Sequence, residues 1–331
     1  MPITTRLALP ADYDRVAEVT RAAFLAGPYG HVHANPERQK FELDVAARAA
    51  WGAVLVAVDG EQIVGATSLL RALTPKARLA VEGEAEIRLL AVDPAAQGGG
   101  IGDALVVASI DLARQWGVSR VVLDTGSLNA SAQRLYLRNG FQRTRAAVED
   151  TAEVTSFTYA YDLDDETSPI VRLARPSEYA AVGALTVAAY QADYELPPSY
   201  LASLAQTEQR AREHEVWVVE DRLTGELAAT VATPRPGAFI SDLGQPGELD
   251  FRLLAVAPAA RGRGFGALLT QHVIGLARER GLHRVVMNSG DIMVGAHRLY
   301  EKLGFSRIPE RDLSFTDDGR TIVIFTFGLD L

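Results

Sequence analysis

The stretch IRLLAVDPAAQGGGIGDALV, Ile87–Val106, decides how this chain is read, because it occurs a second time as FRLLAVAPAARGRGFGALLT, Phe251–Thr270. The correspondence continues without a gap. SRVVLDTG (Ser119–Gly126) answers to HRVVMNSG (His283–Gly290), and QRLYLRNGF (Gln133–Phe141) to HRLYEKLGF (His297–Phe305). Gly98 stands opposite Gly262, and the shift of 164 positions holds throughout the block. Solenoid repeats stack units of about 20–50 residues, whereas a period this long is the length of a domain. The 331-residue chain is therefore expected to hold two copies of one fold, residues 1–163 and 170–331. The acidic, turn-rich residues 164–169, within DLDDETSP, form the linker.

Composition narrows the class. With 48% apolar and 23% charged residues, each half can bury an ordinary globular core. A net charge of −9 argues against a broad grip on nucleic acid, which needs basic surface. The absence of cysteine excludes disulfides, thiolate metal sites and a cysteine-borne covalent intermediate. Arg6, Asp12, Asp14, Arg15, Glu18 and Arg21 interrupt the first turns of chain, leaving no apolar core for a signal peptide. No apolar run of about 18 residues marks a membrane span. The expectation is a cytoplasmic protein with no membrane or nucleic-acid partner.

In each half the pattern reads β-α-α-β-β-β-α-β-α-β-β, a mixed α/β sheet with helices on its faces. Helical stretches are expected around Glu37–Ala50 and Pro198–His214. Asp59-Gly60 turns a hairpin between Ala53–Val58 and Ile63–Leu70. Strands are expected near Phe141–Val148 and Thr155–Tyr161, and near Phe305–Asp312 and Thr321–Gly328.

The glycine turns, Gln97-Gly98-Gly99-Gly100-Ile101-Gly102 and Arg261-Gly262-Arg263-Gly264-Phe265-Gly266, each join a strand to a helix. Backbone N–H groups and the helix dipole there suit an anion such as a pyrophosphate. A P-loop would end in Gly-Lys-Ser/Thr, which neither copy has. A dinucleotide fingerprint fits only loosely, since Asp103 takes its last place in the first copy. A turn that merely reverses the chain stays open as the plain structural reading.

With Leu-Ala-Val-x-Pro upstream and Ala-x-x-Leu-Tyr-x-x-x-Gly-Phe downstream, the Gln/Arg-x-x-Gly-x-Gly turn resembles the GNAT superfamily of acetyl-CoA-dependent N-acetyltransferases. The resemblance is strong over residues 84–141 and 248–305. The two-domain fusion is similar to the organisation of mycothiol synthases, tandem members of that superfamily. The resemblance implies two GNAT-like domains, each a mixed, mostly antiparallel sheet flanked by helices. It implies acetyl-CoA as acyl-donor cosubstrate and direct transfer to a primary amine of a small molecule or peptide. Leu90, Ala91 and Val92, with Leu254, Ala255 and Val256, would offer backbone groups to the donor's pantetheine arm. Gln97 to Gly102 and Arg261 to Gly266 would cradle its pyrophosphate. Asn129 matches the family's asparagine, where the second copy has Met293. Tyr136 and Tyr300 stand at the family's proton-donor position. Glu86 and Asp250, each six residues before the valine of the Leu-Ala-Val run, resemble a catalytic base, acting directly or through a water.

Each of these residues also has a plain reading. Tyr136 and Tyr300 fit a core helix face, and Glu86 and Asp250 fit a solvated strand end or acids paired with Arg88 and Arg252. His31 and His33 lie two apart in a loop, too few ligands for a metal, so no metal is expected. The second half has Tyr190, Asp193, Tyr194 and Glu195 in that region instead, which suggests a shared cofactor and separate acceptors. The rival readings keep one domain catalytic and the other a structural or regulatory CoA-binding module, or make the whole a CoA-responsive binding protein. A monomer whose halves pair like a dimer and a homodimer are both compatible with the duplication.

Overall fold

The computed structural model describes residues 3–32, 36–144, 155–165, 167–317 and 320–331. Its contacts divide into two compact units, Met1–Glu166 and Thr167–Leu331.

The first unit runs β1 (Thr4–Leu7), α1 (Tyr13–Ala26), α2 (Pro36–Leu43), α3 (Val45–Ala50), β2 (Gly52–Asp59), β3 (Gln62–Arg71) and β4 (Glu84–Val92). It continues with α4 (Ile101–Gln115), β5 (Arg120–Gly126), α5 (Ala130–Arg138), β6 (Gln142–Thr144) and β7 (Ser156–Asp162). The single helical stretch expected over Glu37–Ala50 is broken at Asp44, whose carboxylate accepts the Ala47 N–H at 2.9 Å and starts α3 afresh. The strand expected near Phe141–Val148 is described only as far as Thr144, the rest lying outside the described residues. The sheet order is β1-β2-β3-β4-β5-β7-β6. Within this unit only β4 and β5 are parallel among the described pairings. Valines alternate from β2 onto α1 and α3 on one face (Val54, Val56, Val58 with Val16 and Val45). The other face packs Leu55, Ala57 and Val64 against Ile101 and Leu105 of α4.

The second unit runs β8 (Ile170–Leu173), α6 (Tyr179–Gln191), α7 (Pro198–Leu204), α8 (Thr207–Glu213), β9 (His214–Asp221) and β10 (Glu226–Pro234). There follow β11 (Glu248–Asp250), β12 (Arg252–Val256), α9 (Phe265–Glu279), β13 (Arg284–Gly290), α10 (Val294–Lys302), β14 (Ser306–Arg307), β15 (Leu313–Asp317) and β16 (Arg320–Asp330). The strand corresponding to β4 is interrupted at Phe251, so β12-β10-β9-β8 forms one sheet and β11-β13-β16-β14, with β15 on β16, another.

The copies correspond beyond the block that a shift of 164 aligns. Arg6, Pro10, Asp12 and Tyr13 match Arg172, Pro176, Glu178 and Tyr179. The matched pairs even make the same contact, Arg6 to Asp12 at 2.6 Å and Arg172 to Glu178 at 2.7 Å. Pro36 opens α2 as Pro198 opens α7, and Arg48 lies four residues before β2 as Arg210 lies four before β9. The hairpin turn explains one of the shifts. Two residues separate β2 from β3, and four separate β9 from β10.

In the second core, the Trp217 indole donates to Thr233 Oγ1 at 2.9 Å and packs edge-on to His272, with centroids 4.3 Å apart. Burial lowers the His272 imidazole from 6.5 to about 4. The unfolded chain therefore takes up a proton as pH falls below 6.5, while the folded chain resists until about 4. Stability is lost across that window. Between pH 7 and pH 5 the loss is about 2 kcal/mol. Denaturant titrations at the two pH values should show it in the native chain, and a His272→Phe chain should lack that part of the drop.

Candidate active sites

The two sites begin where one strand abandons its neighbour. β4 pairs with β5 only over Glu84–Glu86, opposite Arg120–Val122. β11 likewise pairs with β13 only over Glu248–Asp250. Beyond these points the chain stays paired on its other side, to β3 or β10. One edge of Arg88–Val92, and of β12, therefore faces a widening gap.

A bulge sits in each opened segment. Ala66 pairs with Ala91 and Ser68 with Arg88, so Thr67 faces both Leu89 and Leu90. In the second unit Thr230 pairs with Ala255 and Ala232 with Arg252, so Val231 faces Leu253 and Leu254. Leu89 has φ 53° and Leu253 φ 56°. A leucine in the left-handed region is strained by roughly 1–2 kcal/mol. A bulge takes a residue out of the ladder and re-aims its neighbours. Leu90 to Val92 and Leu254 to Val256 thus lie on an open strand edge, the surface on which an extended amide chain can add as a further strand.

The opened strand ends at a short turn led by Pro94 or Pro258 and then at the glycines. Gly98 and Gly100 have φ 88° and 76°, and Gly262 and Gly264 have 78° and 84°. Gly100 and Gly264 are the N-caps of α4 and α9. Left-handed glycines before a helix N-terminus form a concave ring of backbone N–H donors. Gly102 and Gly266 have another reason to be glycine. A Cβ there would stand 3.1 Å from Leu135 and 3.2 Å from Leu299, between the helix and its neighbour. These residues fit a pyrophosphate through main-chain groups. Gln97 is exposed. The arginines are engaged within the protein, Arg261 with Asp193 at 2.8 Å and Arg263 with Asp221 at 2.6 Å, the latter also lying over the Phe265 ring.

A profile described as the Acetyltransferase (GNAT) family matches residues 17–141 and again 180–305. The chain belongs to the GNAT acetyltransferase family. Among curated relatives, glucosamine 6-phosphate N-acetyltransferase 1 of Oryza sativa subsp. japonica is 37% identical over 93 residues, 28% of this chain and 53% of the rice protein. The mycothiol acetyltransferase of Beutenbergia cavernae is 48% identical over 56 residues, 17% of this chain and 19% of that protein. The chain thus spans about half the length of the rice relative and less of the other. Among solved structures, a PaiA N-acetyltransferase from Thermoplasma acidophilum in complex with coenzyme A aligns with 49% of this chain and 100% of its own, at 20% identity and a TM-score of 0.39.

Within each GNAT unit the tyrosine expected as proton donor is seated by its ring. Tyr136 packs against Phe141 and Tyr159, with centroids 5.7 and 6.2 Å away. Tyr300 packs against Phe305, Phe327 and Phe251, at 5.8, 5.9 and 6.1 Å. The rings therefore sit in the core, as the plain reading of a helix face has it. Neither hydroxyl has a hydrogen-bond partner among the described residues, and neither is among the fully buried side-chain atoms that lack one. Burial holds both phenols above the ordinary tyrosine pKa, with Asp124 adding to the effect at Tyr136 and Tyr194 at Tyr300. Both are protonated at neutral pH.

The acids occupy a different environment from the one expected of a base. Glu86 is fully buried. Its Oε2 accepts the N–H groups of Arg78, Leu79 and Ala80 at 2.7, 2.8 and 3.2 Å, and its Oε1 lies 3.2 Å from Arg88. Asp250, also fully buried, accepts from the Ile240 and Ser241 N–H groups at 3.2 and 2.8 Å and from the Ser241 hydroxyl at 2.8 Å. Each carboxylate fastens the loop that precedes its strand. Asn129 is also differently engaged. Its side chain accepts the Ala132 N–H at 3.2 Å and caps α5, a bond that Met293 cannot make for α10.

Sequence reading missed Asp124. It lies near enough to act on both Tyr136 and Arg88, and is clamped by Arg78 through two bonds of 2.7 Å. Its counterpart is Asn288, visible in the pairing of VVLDTG with VVMNSG. Reading also missed Arg48, which is fully buried, donates to Ser68 Oγ at 3.3 Å, and leaves Nε and Nη2 without partners. Burial lowers its pKa to about 10. His31 is exposed, and His33 lies outside the described residues. No group of residues able to hold a metal ion occurs among the described residues, and no helix there is long and apolar enough to cross a membrane.

Removing the Glu86 carboxylate leaves three backbone donors unpaired and takes the adjoining carboxylate from Arg88. Glu86→Ala should destabilise the chain by roughly 3 kcal/mol, read by denaturant unfolding. A direct base would behave differently. Its loss would abolish the acidic limb of the pH–rate profile and leave unfolding unchanged.

Proposed function

We propose that the chain is an acetyl-CoA-dependent N-acetyltransferase in which each unit binds one donor and moves its acetyl group directly to a primary amine of a small molecule or peptide. The observation that carries this reading is the repeated pairing of an opened, bulged strand edge with a left-handed glycine cap at its far end. An extended amide-bearing arm and a pyrophosphate, joined at a fixed distance, match those two features together. Acetyl-CoA, when bound, supplies an acetyl thioester at the bulge.

The residues then divide the work. Backbone N–H groups at the bulge, near Leu90 and Leu254, polarise the carbonyl and receive its developing negative charge. The amine nitrogen forms a bond to the carbonyl carbon as the carbon–sulfur bond breaks. Tyr136 or Tyr300 gives its proton to the leaving thiolate. The proton lost by the amine leaves through water, because the Glu86 and Asp250 oxygens already accept internal bonds. The pinned acids act by holding the acceptor-side loops in place. The small-molecule amines named for glucosamine 6-phosphate and mycothiol acetyltransferases support an amine acceptor of that class.

Two measurements test the proposal. Calorimetric titration should find two acetyl-CoA sites per chain, and Gly100→Val or Gly264→Val should remove one site each, because valine resists φ near 80°. Two sites surviving in either variant would overturn the assignment of the glycine turns. Tyr136→Phe and Tyr300→Phe should each lower kcat by about 100-fold for the acceptor turned over by that unit. Their KM for acetyl-CoA should stay close to the native value. An unchanged kcat in both variants would remove the tyrosines from the mechanism.

A further inference from the structure

The acceptor sides of the two units differ in charge. In the first, the two arginines beside Glu86 and Asp124 are each answered by an acid. Arg88 lies 3.2 Å from Glu86 and donates to the Lys76 carbonyl at 2.6 Å, and Arg78 is clamped to Asp124. In the second unit Arg88 becomes Arg252, which is half-buried. Its hydrogen bond goes to the neutral Asn288 Oδ1 at 2.9 Å, and among the described residues it has no ion-pair partner. Asp250, a methylene shorter than Glu86, is turned to Ile240 and Ser241. Asp124 has become Asn288. Two local changes therefore leave one guanidinium uncompensated, and a half-buried charge without a counter-charge is costly unless an anion arrives.

The surroundings of Arg252 offer donors and aromatic surface. Arg252 and Arg210 both act on the Tyr200 hydroxyl, and Arg252 also acts on Tyr190. Tyr190 meets Tyr194 and Tyr200 edge-to-face, with centroids 6.4 and 6.5 Å away. Burial keeps the Tyr190 phenol protonated, so it too can donate, and Tyr200 stands exposed beside it. With Asn288 Oδ1 accepting from Arg252, the Asn288 amide nitrogen remains a donor. Tyr300 adjoins the same cluster.

The donor's pyrophosphate is not the missing anion. Arg252 and Val256 lie at opposite ends of β12, about 13 Å apart at strand rise, and the glycine turn lies beyond Val256. Arg252 instead immediately precedes the bulged Leu253. An anion held by Arg252 therefore sits within a few bonds of the nitrogen that attacks at the bulge.

We infer that the second unit acetylates amines bearing a carboxylate close to the amino group, with Arg252 as the residue that selects for it and the Tyr190, Tyr194 and Tyr200 rings accommodating the apolar part. The planar guanidinium matches a carboxylate through two parallel bonds, and a phosphonate in the same place offers the same chemistry. This rests on the acetyl-transfer reading above.

The test uses the full chain, acetyl-CoA and matched amines: phenylalanine with phenethylamine, leucine with isoamylamine, and the aminophosphonate analogue of phenylalanine. The readout is CoA release. The native chain should prefer phenylalanine and leucine over their decarboxylated partners in kcat/KM. Arg252→Gln, which keeps a donor for Asn288, should lower that preference by roughly 30-fold. A preference for the aminophosphonate over phenylalanine would overturn the carboxylate assignment. Equal or better use of the decarboxylated amines, or a preference that survives Arg252→Gln, would overturn the inference. If no amine is turned over, the acetyl-transfer reading fails separately. The pocket is then judged by calorimetric binding of N-acetylphenylalanine against N-acetylphenethylamine. Tighter binding of the former that disappears in Arg252→Gln supports the pocket, and equal binding overturns it.

Discussion

Everything at each site depends on a strand that cannot keep both of its neighbours. β4 holds β3 along its length and releases β5 after three residues. The second unit repeats the release after Asp250. The left-handed leucine that follows absorbs the misfit as local strain instead of as a lost strand. Without the release there would be no open strand edge. Without the bulge the backbone groups on that edge would point along an ordinary ladder. The buried carboxylate just before it anchors the adjoining loop, and the tyrosine ring across the gap is fixed by three or fewer aromatic neighbours, so the opening is bordered by rigid parts.

The block from Ile87 onward was legible because its elements are close-set and locally signalled. Proline closes the strand, glycine opens the helix, and the shift between copies is constant. The break in Glu37–Ala50 was less visible, since Asp44 looks like any acidic surface residue until its bond to Ala47 is seen. The bulge had no signal at all. Leu-Leu-Ala-Val is a run that favours regular strand, and a leucine at positive φ is imposed by the surrounding pairings. Glu86 and Asp250 stand out in the sequence by a spacing that resembles a catalytic base, while the partners that hold them lie on loops the strand pattern does not show. A strand pattern says nothing of a loop folding back to donate three N–H groups to Glu86 or two to Asp250. Asp124 escaped because its clamp, Arg78, is distant along the chain and its effect on Tyr136 depends on how the next helix packs.

The copies have kept the backbone apparatus and changed its charges. Asn129 caps its helix where Met293 does not, and Asp124 offers a carboxylate where Asn288 offers an amide. Arg261 and Arg263 engage acids of their own unit, while Gln97 and Gly99 in the matching places carry no charge. Main-chain geometry is costly to alter because a strained leucine, a left-handed glycine and a broken strand pairing must change together. Side chains such as Asp124 and Asn288 are under no such joint constraint.

The unequal hairpin turns have a consequence for how the duplication is recognised. A turn between two strands can gain two residues without disturbing a single ladder pair, so length differences collect there at little energetic cost. Any comparison made at one fixed spacing must lose the thread at that point, although the structure beyond it is still shared. Allowing the gap brings Pro36 opposite Pro198 and Arg48 opposite Arg210, and a second adjustment brings Arg6 and Asp12 opposite Arg172 and Glu178. The duplication therefore covers the whole of both units, and its faintness toward the front of each is a matter of slipped spacing as well as of altered residues.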